Sequence, residues 1–417
     1  MYKERHIHEK LVQLVQDFRI ILITGPRGIG KKTLLKHAFP EARMIVFEAD
    51  KDIKDARKDP ASFLKYQHGP LILADIHYTP SLLPAIKERL HSNPHAGPYF
   101  LTTAYDLGLL KGMPADVTQG IGVIRLDGMT TYEHAGISAS RSWLATYLKQ
   151  PHLLPQHVTG TTGQSAPAAI WRGGMPEACT LQPILMESFF SGYVKQYINN
   201  DVQALTHKMC FNDFWPFFTT LAPKTATETN YAQVSKELAI ANRTAYNWLH
   251  FLTASYQWLE LPAYHQDRHD KDPEHKHYLK TKGHIKDVGL ACYLSAIAHR
   301  DLLAADPRLP LFFETLVINT IVALLPTVSD QATCFYWHAS NGGGVSLLIC
   351  HNQMLYPIHV VLKEELAPED EHALQELRRK WEGTLALQTG LIVYAGTACY
   401  QVSEHTIAVP WNGVCEG

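Results

Sequence analysis

Nine consecutive residues, Gly25-Pro26-Arg27-Gly28-Ile29-Gly30-Lys31-Lys32-Thr33, have the types and spacing needed to hold phosphate. In a loop of the form G-x-x-x-x-G-K-[ST], the glycines let backbone N–H groups wrap the phosphates. The lysine reaches the β and γ phosphates, and the hydroxyl takes a Mg²⁺ ion. Everything is present here except that hydroxyl, whose place Lys32 occupies. An ammonium group cannot ligate a metal, although it attracts phosphate as a point charge. Gly25, Pro26, Arg27, Gly28, Ile29, Gly30, Lys31, Lys32 and Thr33 are therefore expected to bind ATP or ADP, and the case for Mg²⁺-dependent hydrolysis is weakened.

Two further positions belong to the same chemistry. Leu71-Ile72-Leu73-Ala74-Asp75 is an apolar run closing on a carboxylate, the pattern that holds Mg²⁺ through water, so Asp75 is the candidate metal and catalytic residue. In many ATPases a glutamate follows to polarise the attacking water, but Ile76 follows here. Tyr99-Phe100-Leu101-Thr102-Thr103 ends in hydroxyls, and Thr102 is the candidate that senses the γ phosphate.

The elements that must position these residues read clearly. Arg19–Thr24 is a buried strand and Leu34–Phe39 the helix behind the glycine loop. Arg43–Glu48, Leu71–Asp75, Tyr99–Thr103 and Gly122–Leu126 are further strands, with a helix from Ser81 to His91 among them. Alternating strands and helices of this length predict an α/β, doubly wound parallel sheet with nucleotide at the strand carboxyl ends. Pro151 to Gly174, rich in Pro, Gly, Thr and Ser, reads as an exposed connection. Leu181 to His207 is helical, with Phe189, Tyr193, Tyr197 and Val202 on one side. Tyr231 to Leu261 reads as helix-turn-helix followed by a wing strand, in which Arg243, Thr244 and Asn247 would face DNA. Lys276, Lys280, Lys282 and Lys286 would be its phosphate contacts. A third segment, with strands at Cys334–Trp337, Val345–Ile349, Tyr356–Val361 and Gly390–Tyr394 and a helix at Glu369–Trp381, reads as a separate α/β unit.

Bulk properties narrow the class. Hydrophobic residues make up 46% and charged residues 19% of the chain, which suits two to four ordinary cores. The formal net charge of −2 advertises neither nucleic acid nor an anionic membrane surface. No signal peptide opens the sequence, and the longest apolar tract, Leu309 to Pro326, is interrupted by Glu314, so no membrane partner is expected. Seven cysteines without C-x-x-C spacing argue against a zinc ribbon or disulfide framework and fit a reducing cytoplasm. Of 23 histidines, His265, His269, His275 and His277 crowd one acidic segment, which reads as a solvated loop between strands.

The order of these pieces resembles a widespread family of prokaryotic AAA+-type ATP-binding proteins. In that family a P-loop domain, a helical lid, a winged helix and a restriction-endonuclease-like domain of unknown function follow one another. The resemblance runs almost end to end. It rests on Gly25-Pro26-Arg27 with Gly30-Lys31, Asp59-Pro60 with Phe63-Leu64, Thr79-Pro80-Ser81-Leu82-Leu83, Leu101-Thr102, Arg172-Gly173-Gly174-Met175-Pro176-Glu177, Tyr193, Tyr197, Asp201-Val202, and Lys286-Asp287-Val288-Gly289-Leu290. It implies boundaries at 1–135, 136–228, 229–295 and 296–417.

Departures from the family fall on the chemistry. The family has Gly-Lys-Thr-Thr where Gly30-Lys31-Lys32-Thr33 stands. Its Asp-Glu-Ile-Gln places Ala74 at the aspartate and Asp75 at the glutamate, whereas the strand pattern alone makes Asp75 the aspartate and Ile76 the replaced glutamate. Either way one carboxylate is missing. The family's endonuclease-like carboxylates and lysine are reduced to Glu314, with Gly344-Val345-Ser346 and His359-Val360-Val361 at the other places. Lys363, two residues on, is expected to lack a paired carboxylate.

The reading is an ATP-binding AAA+-like cytoplasmic protein with weak or absent hydrolysis and a nuclease-like domain that cuts nothing, its winged helix or C-terminal part meeting a protein partner. An active ATPase with an atypical site, and a DNA-associated winged-helix regulator with weak DNA contact, are the alternatives. Arg27, Arg125, Arg141 and Arg172 are the candidates for an arginine finger.

Overall fold

A computed structural model describes residues 2–48, 51–106, 108, 119–202, 211–264, 281–338, 344–381 and 386–416. The first part is built on five short strands, β1 (Ile20–Thr24), β2 (Arg43–Val46), β3 (Leu71–Ala74), β4 (Tyr99–Thr102) and β5 (Gly122–Arg125). All pair in parallel, in the order β2-β3-β4-β1-β5. Successive residues of these strands enter opposite cores. Ile20, Leu22, Leu71, Leu73 and Leu101 pack with Phe63, Leu83 and Ile86 on one face. Ile21, Ile23, Ile72, Phe100 and Ile124 pack with Leu11, Leu34 and Leu35 on the other. Both faces are covered by helices: α1 (His8–Asp17) and α2 (Lys31–Ala38) on the second face, α3 (Pro60–Lys65) and α4 (Leu82–Ser92) on the first. This is the doubly wound sheet the sequence predicts. Because β4 lies between β1 and β3, Thr102 at its end falls between the glycine loop and Asp75.

The middle is helical: α5 (Thr131–Ala135), α6 (Trp143–Lys149), α7 (Ala166–Arg172), α8 (Met186–Gln196) and α9 (Phe211–Leu221). Here Pro151–Gly174 is not an exposed connection. It contains strand β6 (Val158–Thr161) and α7, whose Ala166, Ile170 and Trp171 are buried in the largest core. The helix predicted over Leu181–His207 runs as α8 and then opens into a π-helical turn over Tyr197–Val202, which keeps Tyr193, Tyr197, Ile198 and Val202 all buried; His207 lies outside the described residues. The helix-turn-helix segment forms α10 (Tyr231–Glu237) and α11 (Asn242–Ala254). A three-stranded antiparallel sheet of order β7-β9-β8 accompanies them, made of β7 (Thr227–Glu228), β8 (Trp258–Pro262) and β9 (Thr281–Ile285). The histidine-rich segment, with His265, His269, His275 and His277 and with Lys276 and Lys280, lies outside the described residues.

Helices α12 (Val288–Leu294) and α13 (Leu309–Val328) lead to a six-stranded mixed sheet of order β10-β11-β12-β13-β15-β14. Its strands are β10 (Thr333–His338), β11 (Gly344–His351), β12 (Met354–Val361), β13 (Gly390–Tyr394), β14 (Tyr400–Ser403) and β15 (Thr406–Pro410), and α14 (His372–Trp381) covers one face. Helix α13 is long and apolar enough to cross a membrane, but most of it is buried inside the protein.

The C-terminal α/β unit is packed closely against the helical middle. A last strand, β16 (Gly413–Cys415), leaves the six-stranded sheet and pairs antiparallel with β6. Tyr132 Oη donates to the Gly413 carbonyl at 2.8 Å, and Tyr147 Oη to those of Pro357 at 3.0 Å and Thr389 at 2.8 Å. One apolar core runs without a break from Ala104 to Cys415, so the middle and the C-terminal sheet are a single packed body.

Candidate functional site

The glycine loop turns sharply because three of its residues have positive φ: Gly25 at 140°, Gly28 at 75° and Gly30 at 92°. A Cβ at Gly25 would lie 2.1 Å from the Leu126 carbonyl oxygen, so only glycine fits there. Gly30 forms the N-terminal boundary of α2, and the first helical bond is Leu34 N–H to Gly30 O at 2.8 Å. The N–H groups of Lys31, Lys32 and Thr33 therefore have no acceptor within the helix and point toward its start, as an anion site requires. Ile29 is buried and anchors the loop. Arg5, which belongs to none of the motifs, is buried behind it and donates to Ile29 O at 2.9 Å, Asp127 O at 2.6 Å and Glu133 Oε1 at 3.1 Å.

Lys31 is folded back onto its own loop. The residue is only 6% exposed, and its ammonium donates to the carbonyls of Gly25 at 2.6 Å and Pro26 at 2.7 Å. Burial pulls its pKa from the ordinary 10.5 down to about 7. Phosphate would restore the charged form, so binding above pH 7 should take up a proton. ATP affinity should then fall as pH rises from 7 toward 9, by up to about tenfold per unit. Calorimetric titration at pH 8 in two buffers of different ionisation enthalpy measures that uptake directly. For stability the sign is opposite: the unfolded chain holds this proton up to its higher pKa, so through this group the fold gains stability as pH rises above 7.

At the metal position the structure places an ion pair. Lys32 Nζ lies 3.1 Å from Asp75 Oδ2. Asp75 adopts a left-handed conformation (φ 59°) directly after β3, and its N–H donates to Thr102 Oγ1 at 2.9 Å. Thr102 is fully buried, so it fixes the turn carrying Asp75 and keeps its own hydroxyl proton to donate. Ala74 and Ile76, the neighbours that could have supplied a second carboxylate, are both buried apolar residues. Among the described residues no group of three or more His, Cys, Asp or Glu side chains could hold a metal. Asp75 is thus the one carboxylate at this position, and it faces the Lys32 ammonium where the loop pattern puts a hydroxyl.

Arg27 leaves the loop in another direction. Its guanidinium makes a two-pronged contact with Asp201, Nε to Oδ2 at 2.7 Å and Nη2 to Oδ1 at 2.5 Å, and Nη2 also donates to Tyr78 Oη at 3.1 Å. Asp201 sits in the π-helical turn and is 1% exposed. His77, beside Tyr78, is buried with neither ring nitrogen hydrogen-bonded, and burial lowers its pKa to about 3. It packs against the rings of Tyr78 at 4.1 Å and Tyr105 at 4.7 Å. The sequence singled out Asp201 without a role and passed over His77, because both act across folds of the chain.

The remaining arginine candidates have structural partners. Arg125 pairs with Asp127 at 3.0 Å, Arg141 donates to Cys415 O at 3.1 Å and Arg172 to Cys179 O at 2.7 Å. Lys286 closes on the other side of Asp127 at 2.9 Å, and these two cations help hold the Asp127 pKa down at about 2 against the burial that raises it. Asp287 caps α12 through Leu290 N–H at 2.8 Å and accepts from Gly174 N–H at 2.8 Å. The paired motifs at Arg172–Glu177 and Lys286–Leu290 thus form one buried joint between α7 and α12.

On α11, Arg243 and Asn247 are exposed and Thr244 is half-buried. The Arg243 guanidinium lies 5.8 Å from the Tyr246 ring centre, so its cation is partly engaged. Lys282 and Lys286 are not the phosphate contacts expected, since Lys282 is paired with Glu314 and Lys286 is buried against Asp127. In the C-terminal sheet, Ser346 Oγ accepts from Val360 N–H at 3.2 Å, and burial lowers the His359 pKa to about 4. Lys363, expected to stand without a carboxylate, meets Asp370 at 2.7 Å and 3.0 Å and Glu369 at 3.9 Å. The turn before α14 explains this: Asp370 accepts from Ala367 N–H and is carried back over the end of β12.

Residues 17–135 match the family model of an AAA domain, residues 164–301 that of a domain of unknown function (DUF8612), and residues 311–414 that of a domain of unknown function (DUF4143). Two mycobacterial relatives are each 23% identical over 415 residues, spanning 98% of this chain and 84% of theirs. They are the uncharacterized protein Mb2031c of Mycobacterium bovis and the uncharacterized protein Rv2008c of Mycobacterium tuberculosis. Among solved structures, the Walker-type ATPase PABY2304 of Pyrococcus abyssi superposes with a TM-score of 0.40 at 12% identity, over 70% of this chain and 96% of that one. The RuvB Holliday junction branch migration motor of Thermotoga maritima superposes with a TM-score of 0.30 at 16% identity, over 66% and 95%.

Proposed function

We propose that this AAA+-type P-loop protein, which carries a DUF4143 domain toward its C-terminal end, binds ATP without turning it over at an appreciable rate. The observation that carries this reading is the Lys32–Asp75 pair at the metal position, beside an otherwise intact phosphate cradle. Lys31 and the N–H groups at the start of α2 would hold the phosphates, and Lys32 would supply positive charge fixed in the protein. The position after Asp75 offers no carboxylate to orient a water, because Ile76 stands there, buried in the core. Titration of the purified protein with ATP, with and without Mg²⁺, followed by a phosphate-release assay, tests the reading; brisk Mg²⁺-dependent turnover would replace it with the active-ATPase alternative.

The C-terminal part, in this reading an endonuclease-like unit without catalytic residues, and the winged-helix arrangement of α10, α11 and β7–β9 serve as interaction modules. Glu314 is tied to Lys282 rather than open to a metal, which supports inactivity. Plasmid and single-stranded DNA incubated with the protein in Mg²⁺ or Mn²⁺ should remain uncut; cleavage lost in Glu314→Ala would refute this. DNA contact should be weak and electrostatic, because two of the lysines that would meet phosphate are spent on internal pairs.

A further inference from the structure

Lys31 marks where the phosphates must come. Its ammonium rests on the Gly25 and Pro26 carbonyls, and the next residue along is Arg27. The Lys32–Asp75 pair marks the metal side of the site, where a terminal phosphate would lie. The guanidinium of Arg27 is held on that same side, because one of its tethers, Tyr78, belongs to the turn that follows Asp75. Its stronger tether, Asp201, reaches in from a π-helical turn of the helical middle, a local distortion often found at functional sites. The Arg27 side chain is 23% exposed and Asp201 1%, so the cation sits at the mouth of the site and its carboxylate behind it. A planar, bidentate donor of this kind pairs equally well with carboxylate or phosphate.

We propose that Arg27 is the residue by which this site distinguishes a nucleoside triphosphate from a diphosphate, with Asp201 as the positioning residue that competes with the terminal phosphate for it. The inference rests on the nucleotide binding proposed above. A diphosphate engages Lys31 and the loop and leaves the Arg27–Asp201 pair closed. A triphosphate draws the guanidinium away, so Asp201 and its π-helical turn lose their cation, and occupancy of the site is passed to the helical middle.

The test is the affinity of ATP and of ADP, measured by calorimetry in EDTA, for the native protein, Asp201→Asn, Tyr78→Phe and Arg27→Ala, with melting curves to confirm folding. Asp201→Asn should tighten ATP at least about fivefold and leave ADP within about twofold. Tyr78→Phe, a milder change should Asp201→Asn not fold, should tighten ATP by less but with the same selectivity. Arg27→Ala should bring ATP down to the affinity of ADP. If the folded variants shift ATP and ADP alike, or if Arg27→Ala preserves the ATP preference, the proposal is overturned while nucleotide binding stands. Failure of the native protein and every variant to bind either nucleotide overturns both.

Discussion

Replacing Lys31 with alanine should weaken ATP binding roughly 10- to 100-fold, because a charged hydrogen bond to phosphate contributes about 1.5–3 kcal/mol. The fold should survive. The ammonium meets the carbonyls of Gly25 and Pro26, and it is buried at a cost that depresses its pKa to about 7. Removing it relieves that cost, so the melting temperature should change little. Equal ATP affinity in native and Lys31→Ala proteins would show that the loop is a structural relic.

The second large effect concerns the metal. Native ATP affinity should differ by less than about threefold between EDTA and millimolar Mg²⁺, because an ammonium already occupies the metal's side of the site. The double variant Lys32→Thr with Ala74→Asp restores a hydroxyl and a second carboxylate around Asp75. It should acquire an Mg²⁺ dependence of at least about tenfold. Lys32→Thr alone leaves the Asp75 carboxylate without its cation and should lose affinity in EDTA. An Mg²⁺ requirement in the native protein as strong as in the double variant would defeat this account.

The loop and its sheet were legible because their signals are local. Five short runs rich in apolar residues, each near its helix, and glycines at fixed offsets specify the fold without reference to distant residues. The Lys32 substitution could be read as a loss, but not as a replacement, because its partner is 43 residues away and reaches it only through the left-handed turn at Asp75. The same limit accounts for the errors. Lys282 and Lys286 look like solvated cations until Glu314 and Asp127 are folded against them. Lys363 looks unpartnered until the Ala367–Asp370 turn returns a carboxylate to it. Pro151–Gly174 looks like a connection because β6 takes its hydrogen bonds from a strand far along the chain.

That last pairing joins two distant stretches of the chain. Joining β6 to β16 closes a loop of about 250 residues, and the entropy of closing a loop grows with its length, so this contact is among the last to form. Without Gly413–Cys415 the four residues Val158–Thr161 would present an unpaired strand edge, which its shortness keeps small. The β6–β16 pairing covers that edge and ties the middle of the chain to its C-terminal sheet.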